Sequence, residues 1–153
     1  MKSRLYGTTQ RLISGMRATH LVLAGLLLAT MFGLSLYSMK DNSGIVDEIA
    51  HIPAGYSYVR YGDYRLNPEH PPLIKDLAGL PLLFLNVDFP IDERPWTTDT
   101  NGQWEAGWSF IYHLGNDANA ILYWARLPVL ILTIAFGLGL YWWTKRRGGV
   151  AVG

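Results

Sequence analysis

Two stretches of the chain are apolar without interruption by charge, and the segment between them repeats apolar residues at helical intervals. From Ala18 to Met39 (ATHLVLAGLLLATMFGLSLYSM) 22 residues pass without Asp, Glu, Lys or Arg. At a rise of about 1.5 Å per residue such a helix is roughly 33 Å long, enough to cross a hydrocarbon core. The sequel YSMKDNSG offers no small-residue cleavage site, so the pattern predicts a retained transmembrane helix over 18–39. The second run, Leu127 to Thr144, extends backwards through ANAILYWA to predict another over 120–144, with Arg126 inside it. At the bilayer centre an arginine costs about 2.5–3.5 kcal/mol on insertion scales. Arg126 and Lys145 are 19 residues apart, roughly 28 Å along a helix, so they belong at opposite faces and Arg126 reaches an interface or a polar cavity. Tyr123 and Trp124 at one end, with Tyr141, Trp142 and Trp143 at the other, fit the aromatic belts of a spanning helix.

Between the spans, Ile45, Ile49, Ile52, Tyr56 and Val59 recur every three or four residues, predicting an amphipathic helix over 44–61. Pro53 lies inside it, so the pattern allows a kink or two short helices. YGDYRLNP reads as a turn. Pro71 and Pro72 suit the start of a further helix, where a missing N–H does no harm. Its stripe of Leu73, Leu77, Leu80 and Phe84, with Lys75 and Asp76 off the stripe, predicts an interfacial helix weakened at Pro81. Residues 86–104 read as an exposed loop and 105–117 as a short helix leading into the second span.

Charge then orients the chain. Lys2, Arg4, Arg11 and Arg17 precede the first span, Lys145, Arg146 and Arg147 follow the second, and all 12 acids fall between Asp41 and Asp117. The positive-inside bias places both ends on the cytoplasmic side of a plasma (inner) membrane and the acidic loop outside. The basic tails are explained by topology, so no nucleic-acid partner is expected. With no cysteine, disulfides do not order the loop, and a loop between two lone helices is a poor candidate for an independent core. The expected organisation is a basic tail (1–17), a span (18–39), an extracytoplasmic loop (40–119), a span (120–144) and a cytoplasmic segment (145–153). The fold class is an all-α membrane protein.

Three polar features could carry chemistry. Asp47 and Glu48 suit a helix's first turn as solvated acids, or a general base that takes a hydroxyl proton. His51 follows Asp47 by one turn and could join it as a weak metal-ligand pair. Glu69 and His70 precede the double proline, which stiffens His70; Glu69 could bind a divalent cation and His70 a metal or a phosphate. Arg126 is an interfacial anchor or faces an anionic lipid headgroup.

The ordered set of an N-in span, DEIAHIPAGYSYVRYGDYRLNPEHPPLIK, and a second span opening ARLPVL resembles the polytopic GT-C glycosyltransferases that use lipid-linked sugars. Its nearest branch is that of the protein O-mannosyltransferases (family 39-like) and bacterial aminoarabinose transferases. The resemblance implies transfer of a sugar from a polyprenyl-phosphate donor to an acceptor hydroxyl, with inversion, outside the membrane. Carried over, Asp47 is the base and Glu48 its support. Glu69 matches a metal-associated or acceptor-site acid, His70 and Arg126 are candidates for the donor phosphate, and Lys75 is a candidate for substrate binding. A divalent metal cation is the one cofactor implied. These enzymes have many more spans, so the chain reads as an amino-terminal piece of a larger polytopic fold, inactive alone. The alternative is a complete two-span protein that binds lipid headgroups or a membrane partner without catalysis.

Overall fold

A computed structural model describes residues 2–148, with side chains described from Thr19 onward. Lys2, Arg4, Arg11 and Arg17 of the expected basic tail lie outside the described side chains, and 149–153 lie outside the described residues. The chain forms helices α1 (Lys2–Met39), α2 (Val46–Tyr61), α3 (Leu73–Gly79), α4 (Arg94–Thr97), α5 (Gln103–Trp108) and α6 (Ala118–Gly148). A 3₁₀ turn covers Leu80–Phe84 and a π turn Ser109–His113. No strand occurs among the described residues. The protein is therefore all-helical, and two helical segments, Thr19–Met39 and Ala118–Gly148, are long and apolar enough to span a membrane, each with a mean hydropathy of 1.9.

The chain divides into two compact units. One comprises the described residues up to Leu36 and from Leu132. Its apolar side chains point outward, with Leu27 72% and Phe136 66% exposed, as suits helices solvated by lipid rather than water. Within it Gly137 brings the two helices close: a Cβ there would lie 2.8 Å from Leu28 Cδ2.

The other unit, Tyr37–Ile131, has a hydrophobic core: the loop, a poor candidate for a core by itself, builds one together with Ile121, Leu122 and Ala125 of α6. Its centre is α2, and the reason is the small residues inside that helix. Ile49, Ile52 and Tyr56 of the anticipated apolar face are buried, but so are Ala50, Pro53, Ala54, Gly55, Ser57 and Tyr58 on the other faces. Ile45 stays 64% exposed. Neighbouring backbones approach α2 directly: a Cβ on Gly55 would collide with the Lys75 carbonyl, and one on Gly79 with the Gly55 backbone. Around this crossing Tyr56 stacks on Phe110 with ring centroids 5.3 Å apart, and Phe89 meets Tyr56 at 5.6 Å and Trp96 at 5.1 Å. Aromatic groups fill the space that short helices leave, each pair adding about 0.5–1.5 kcal/mol beyond its burial.

Pro53 neither splits nor ends α2, which runs unbroken for 16 residues. A proline at 53 has no N–H for the Ile49 carbonyl, and the Gly107 backbone packs so tightly on that oxygen that a Cβ there would collide with it. The helix begins with the Ile45 N–H donating to Glu48 Oε2 at 3.0 Å. It ends at Gly62, in the left-handed region (φ 66°), whose N–H bonds the Tyr58 carbonyl at 3.0 Å.

The stretch 86–104 is not simply an exposed loop. Phe89, Pro90, Gly102 and Gln103 are buried, because the aromatic cluster recruits Phe89 and the first turn of α5 packs on α2. After Pro72, α3 is short and yields to the 3₁₀ turn at Leu80, where Pro81 lacks an N–H. Leu73, Leu80 and Phe84 of its stripe are 66%, 45% and 90% exposed, while Lys75 turns inward and is 2% exposed.

Candidate active site

Asp47, Glu48 and His51 of α2, Ile74, Lys75 and Ala78 of α3, and Ala125, Arg126 and Val129 of α6 surround a cleft of about 260 Å³. Three helices thus bring together groups that the sequence separates by some eighty positions. The two adjacent carboxylates have opposite fates. Arg126 donates from Nε to Glu48 Oε1 at 2.8 Å and from Nη2 to Oε2 at 2.7 Å, a two-pronged pair. The rest of the guanidinium ties down the chain entering α2, with Nη1 donating to the Asn42 carbonyl at 3.2 Å and Nη2 to Ser43 at 3.0 Å. Burial works to raise the Glu48 carboxyl, but the Arg126 guanidinium and the Ile45 N–H outweigh it and hold the group below its ordinary range. Asp47, one residue earlier, is exposed and makes no side-chain hydrogen bond or ion pair among the described residues. A helix turns by about 100° per residue, which is why one acid faces Arg126 and the other does not.

His51 follows one turn after Asp47, and its ring lies 5.3 Å from that of His70, centroid to centroid. Burial, then the positive Lys75 and neighbouring His70, hold the His51 imidazole below its ordinary value against the pull of Asp47 and Glu69. It is therefore neutral at pH 7 and keeps a lone pair. Chemically the cleft offers one unpaired carboxylate, one neutral imidazole, and apolar walls of Ile52, Ile74, Ala78, Ala125 and Val129.

The remaining sequence candidates divide. The Lys75 ammonium, expected at the substrate, is enclosed by the carbonyls of Asn67 (2.6 Å) and His70 (2.9 Å), Asn67 Oδ1 (2.7 Å) and Tyr58 Oη (3.0 Å). It fastens the Asn67–His70 turn to α2, and burial lowers its pKa. Tyr58, likewise buried, is pushed up to about 12 and stays a phenol. Arg126, a candidate for the donor phosphate, lines the cleft and is bound to Glu48. Glu69 Oε1 accepts from Gln103 Nε2 at 3.2 Å and from Asn67 Nδ2 at 3.4 Å. Amide N–H groups aimed at a carboxylate do not ligate a cation, and no group of three or more His, Cys, Asp or Glu side chains is placed to hold one among the described residues. Neither Glu69 nor the Asp47–His51 pair thus belongs to a cluster of three or more such ligands among the described residues. Sequence reasoning missed Asn67 and Gln103, which are polar but 1% and 4% exposed. Asn67 sits before a proline in the LNPEHPP turn, a signal that something fixes that turn; Gln103 carries none.

The titrations give a signed expectation. A histidine with a lowered pKa in the fold protonates first in the unfolded chain, so its contribution is intact above about pH 6.5 and erodes as pH falls through that value. A glutamate with a lowered pKa stabilises the fold above its unfolded value and loses that contribution as pH falls through the folded one. The thermal midpoint should therefore drop in two acid steps, His51→Leu removing the upper and Glu48→Gln the lower. A midpoint flat between pH 7 and about pH 5 contradicts the His51 assignment, and one that stays flat as pH falls below about 4.5 contradicts that of Glu48.

Comparison with known proteins adds no relative: no family model, curated protein or solved structure matches the chain.

Proposed function

We propose that this chain is the amino-terminal part of a polytopic membrane glycosyltransferase that moves a sugar from a polyprenyl-phosphate donor to an acceptor hydroxyl outside the membrane. The observation that carries the reading is the contrast between Asp47, unpaired at the cleft, and Glu48, bound to Arg126. A base must be free to receive a proton, whereas a neighbour that shapes the site must not be. The acceptor oxygen attacks the anomeric carbon and its proton passes to Asp47. The bond from that carbon to the phosphate oxygen breaks, the phosphate departs with the electron pair, and the configuration inverts. Glu48 and Arg126 hold the first turn of α2 so that Asp47 faces the cleft, and the apolar walls give the reacting groups a surface of low polarity. The exposed Leu73, Ile74, Leu80, Leu83 and Phe84 suit a surface that meets lipid, where a lipid-linked donor arrives.

The test is a transfer assay on membranes that express the full reading frame. Radiolabelled sugar should pass from a polyprenyl-phosphate carrier to an acceptor with inversion at the anomeric carbon. Membranes that transfer from none of a panel of such carriers, or a reading frame that ends at Gly153, would sink the reading in favour of a small lipid-binding protein. Topology is checked separately. Thr98 is exposed and the chain has no cysteine, so Thr98→Cys should react with an impermeant thiol reagent added outside intact cells. Labelling only after lysis reverses the orientation.

A further inference from the structure

A second cleft, of about 540 Å³, lies within the same unit, between residues 65–69 and 95–102. It does not share a lining residue with the Asp47 cleft. Arg65, Pro68, Glu69, Pro95, Asp99 and Asn101 contribute to its walls. We propose that it is a binding site for a hydroxyl-rich ligand, a carbohydrate chain.

Three observations carry this. The cleft is preformed, because the Gly102 backbone packs so closely on Pro95 that a Cβ would collide with the Pro95 carbonyl. Its polar groups are aligned from behind by a buried, one-directional chain. The Lys75 ammonium donates to Asn67 Oδ1, the Asn67 amide to Gln103 Oε1 and Glu69 Oε1, and the Gln103 amide to Glu69 Oε1 and Asn101 Oδ1. Every donor in the chain points toward the cleft, so each link polarises the next and its last members are held as oriented acceptors. Two of its charges are already matched, since Asp99 pairs with Arg94 at 3.0 Å and Arg65 with Asp63 at 2.6 Å, which leaves the Glu69 carboxylate held by amide N–H groups alone.

What the cleft still offers is the second oxygen of Glu69, the second oxygen of Asp99, the Thr100 hydroxyl and the Asn101 amide, with Pro68 and Pro95 adding apolar C–H surface to the lining. A preponderance of acceptors, with a hydroxyl and an amide that can also donate, beside apolar C–H surface, complements a sugar, whose hydroxyls both donate and accept at its edges and whose ring faces are C–H. A cation would be served by the carboxylates alone and gives the buried amide chain no purpose. The volume falls in the range of ordinary small-molecule sites.

The site is read by binding alone, so its outcome is separable from that of the transfer reaction. The full chain, in a phosphocholine detergent that contributes no sugar headgroup, is titrated with mannotriose, chitotriose, maltotriose and spermidine by saturation-transfer NMR. Saturable binding of at least one trisaccharide is expected. It should weaken about tenfold or more in Glu69→Ala/Asn101→Ala, the loss expected for removing a charged hydrogen bond and a neutral one. Thr100→Arg fills the cleft from an exposed position, leaves the amide chain intact and should weaken binding to the same degree. Asp47→Ala, in the other cleft, should leave it within about twofold, as for independent sites. The proposal is overturned by saturable binding of none of the trisaccharides, by spermidine binding more tightly than all of them, by Thr100→Arg without effect, or by Asp47→Ala weakening binding as much as the cleft variants do.

Discussion

Under the proposed transfer reaction, replacing Asp47 with asparagine is expected to cut sugar transfer by about 10²- to 10⁴-fold, the usual contribution of a positioned general base. The substitution keeps shape and removes only the ability to take a proton. Asp47 makes no side-chain hydrogen bond or ion pair among the described residues and is exposed, so stability should stay within about 0.5 kcal/mol of wild type. Membrane insertion should not change either. Asp47→Glu restores a carboxylate at slightly longer reach and should recover part of the rate. If Asp47→Asn turns over at the wild-type rate, another group takes the proton, and His51, neutral and one turn along the same helix, becomes the first suspect. Asp47→Asn/His51→Gln then distinguishes a replaced base from an absent one.

The second large effect is on stability. Arg126→Met should lower it by on the order of 3 kcal/mol, because Glu48 is left charged, three-quarters buried and held only by the Ile45 N–H. The same change strips donors from the carbonyls of Asn42 and Ser43, which fix the chain ahead of α2. Glu48→Gln alone takes the negative charge from the guanidinium and leaves it its carbonyl partners. The double change Glu48→Gln/Arg126→Met should be less damaging than the sum of the singles by more than about 1 kcal/mol, a coupling that chemical denaturation in detergent can measure. Additive losses would mean that the pair contributes nothing beyond its separate burial. The paired prediction separates two neighbouring acids: Asp47 loses rate without stability, Glu48 loses stability first.

Much of the architecture was legible in the chain. The two uncharged apolar runs announced both long helices because a span of that length and composition has few alternatives. The start of α2 near Val46 and the turn through LNPEHPP were marked by local chemistry: acids in a first turn and prolines that forbid helical continuation. The burial of the middle of α2, residues 52–58, on every face was not legible. Its three-and-four spacing of Ile and Tyr is the same whether the opposite face, Ala50, Ala54, Gly55 and Ser57, meets water or another backbone. Those small residues permit close approach without requiring it.

The site divides in the same way. That Asp47 and Glu48 were chemically suggestive, and that Arg126 was anomalous in an apolar helix, could be read from residue type and position alone. Which acid Arg126 binds is a matter of helix phase and of how α6 meets α2, and neither is encoded within a few residues of the pair. Lys75 shows the limit plainly. Off an apolar stripe, a lysine is ordinarily solvated; here α3 turns that stripe outward and aims the ammonium at Asn67, His70 and Tyr58. An ammonium can be buried when every donor finds an acceptor, and those acceptors, two of them main-chain carbonyls, exist only once the turn is folded. Sequence alone therefore determined the membrane-length helices, the polarity of the segment between them and the list of reactive side chains, because hydrophobic length and charge are local quantities. Tertiary structure decided which carboxylate stays free, which cations are neutralised and which polar groups share a cleft, because each depends on the distance between groups far apart along the chain.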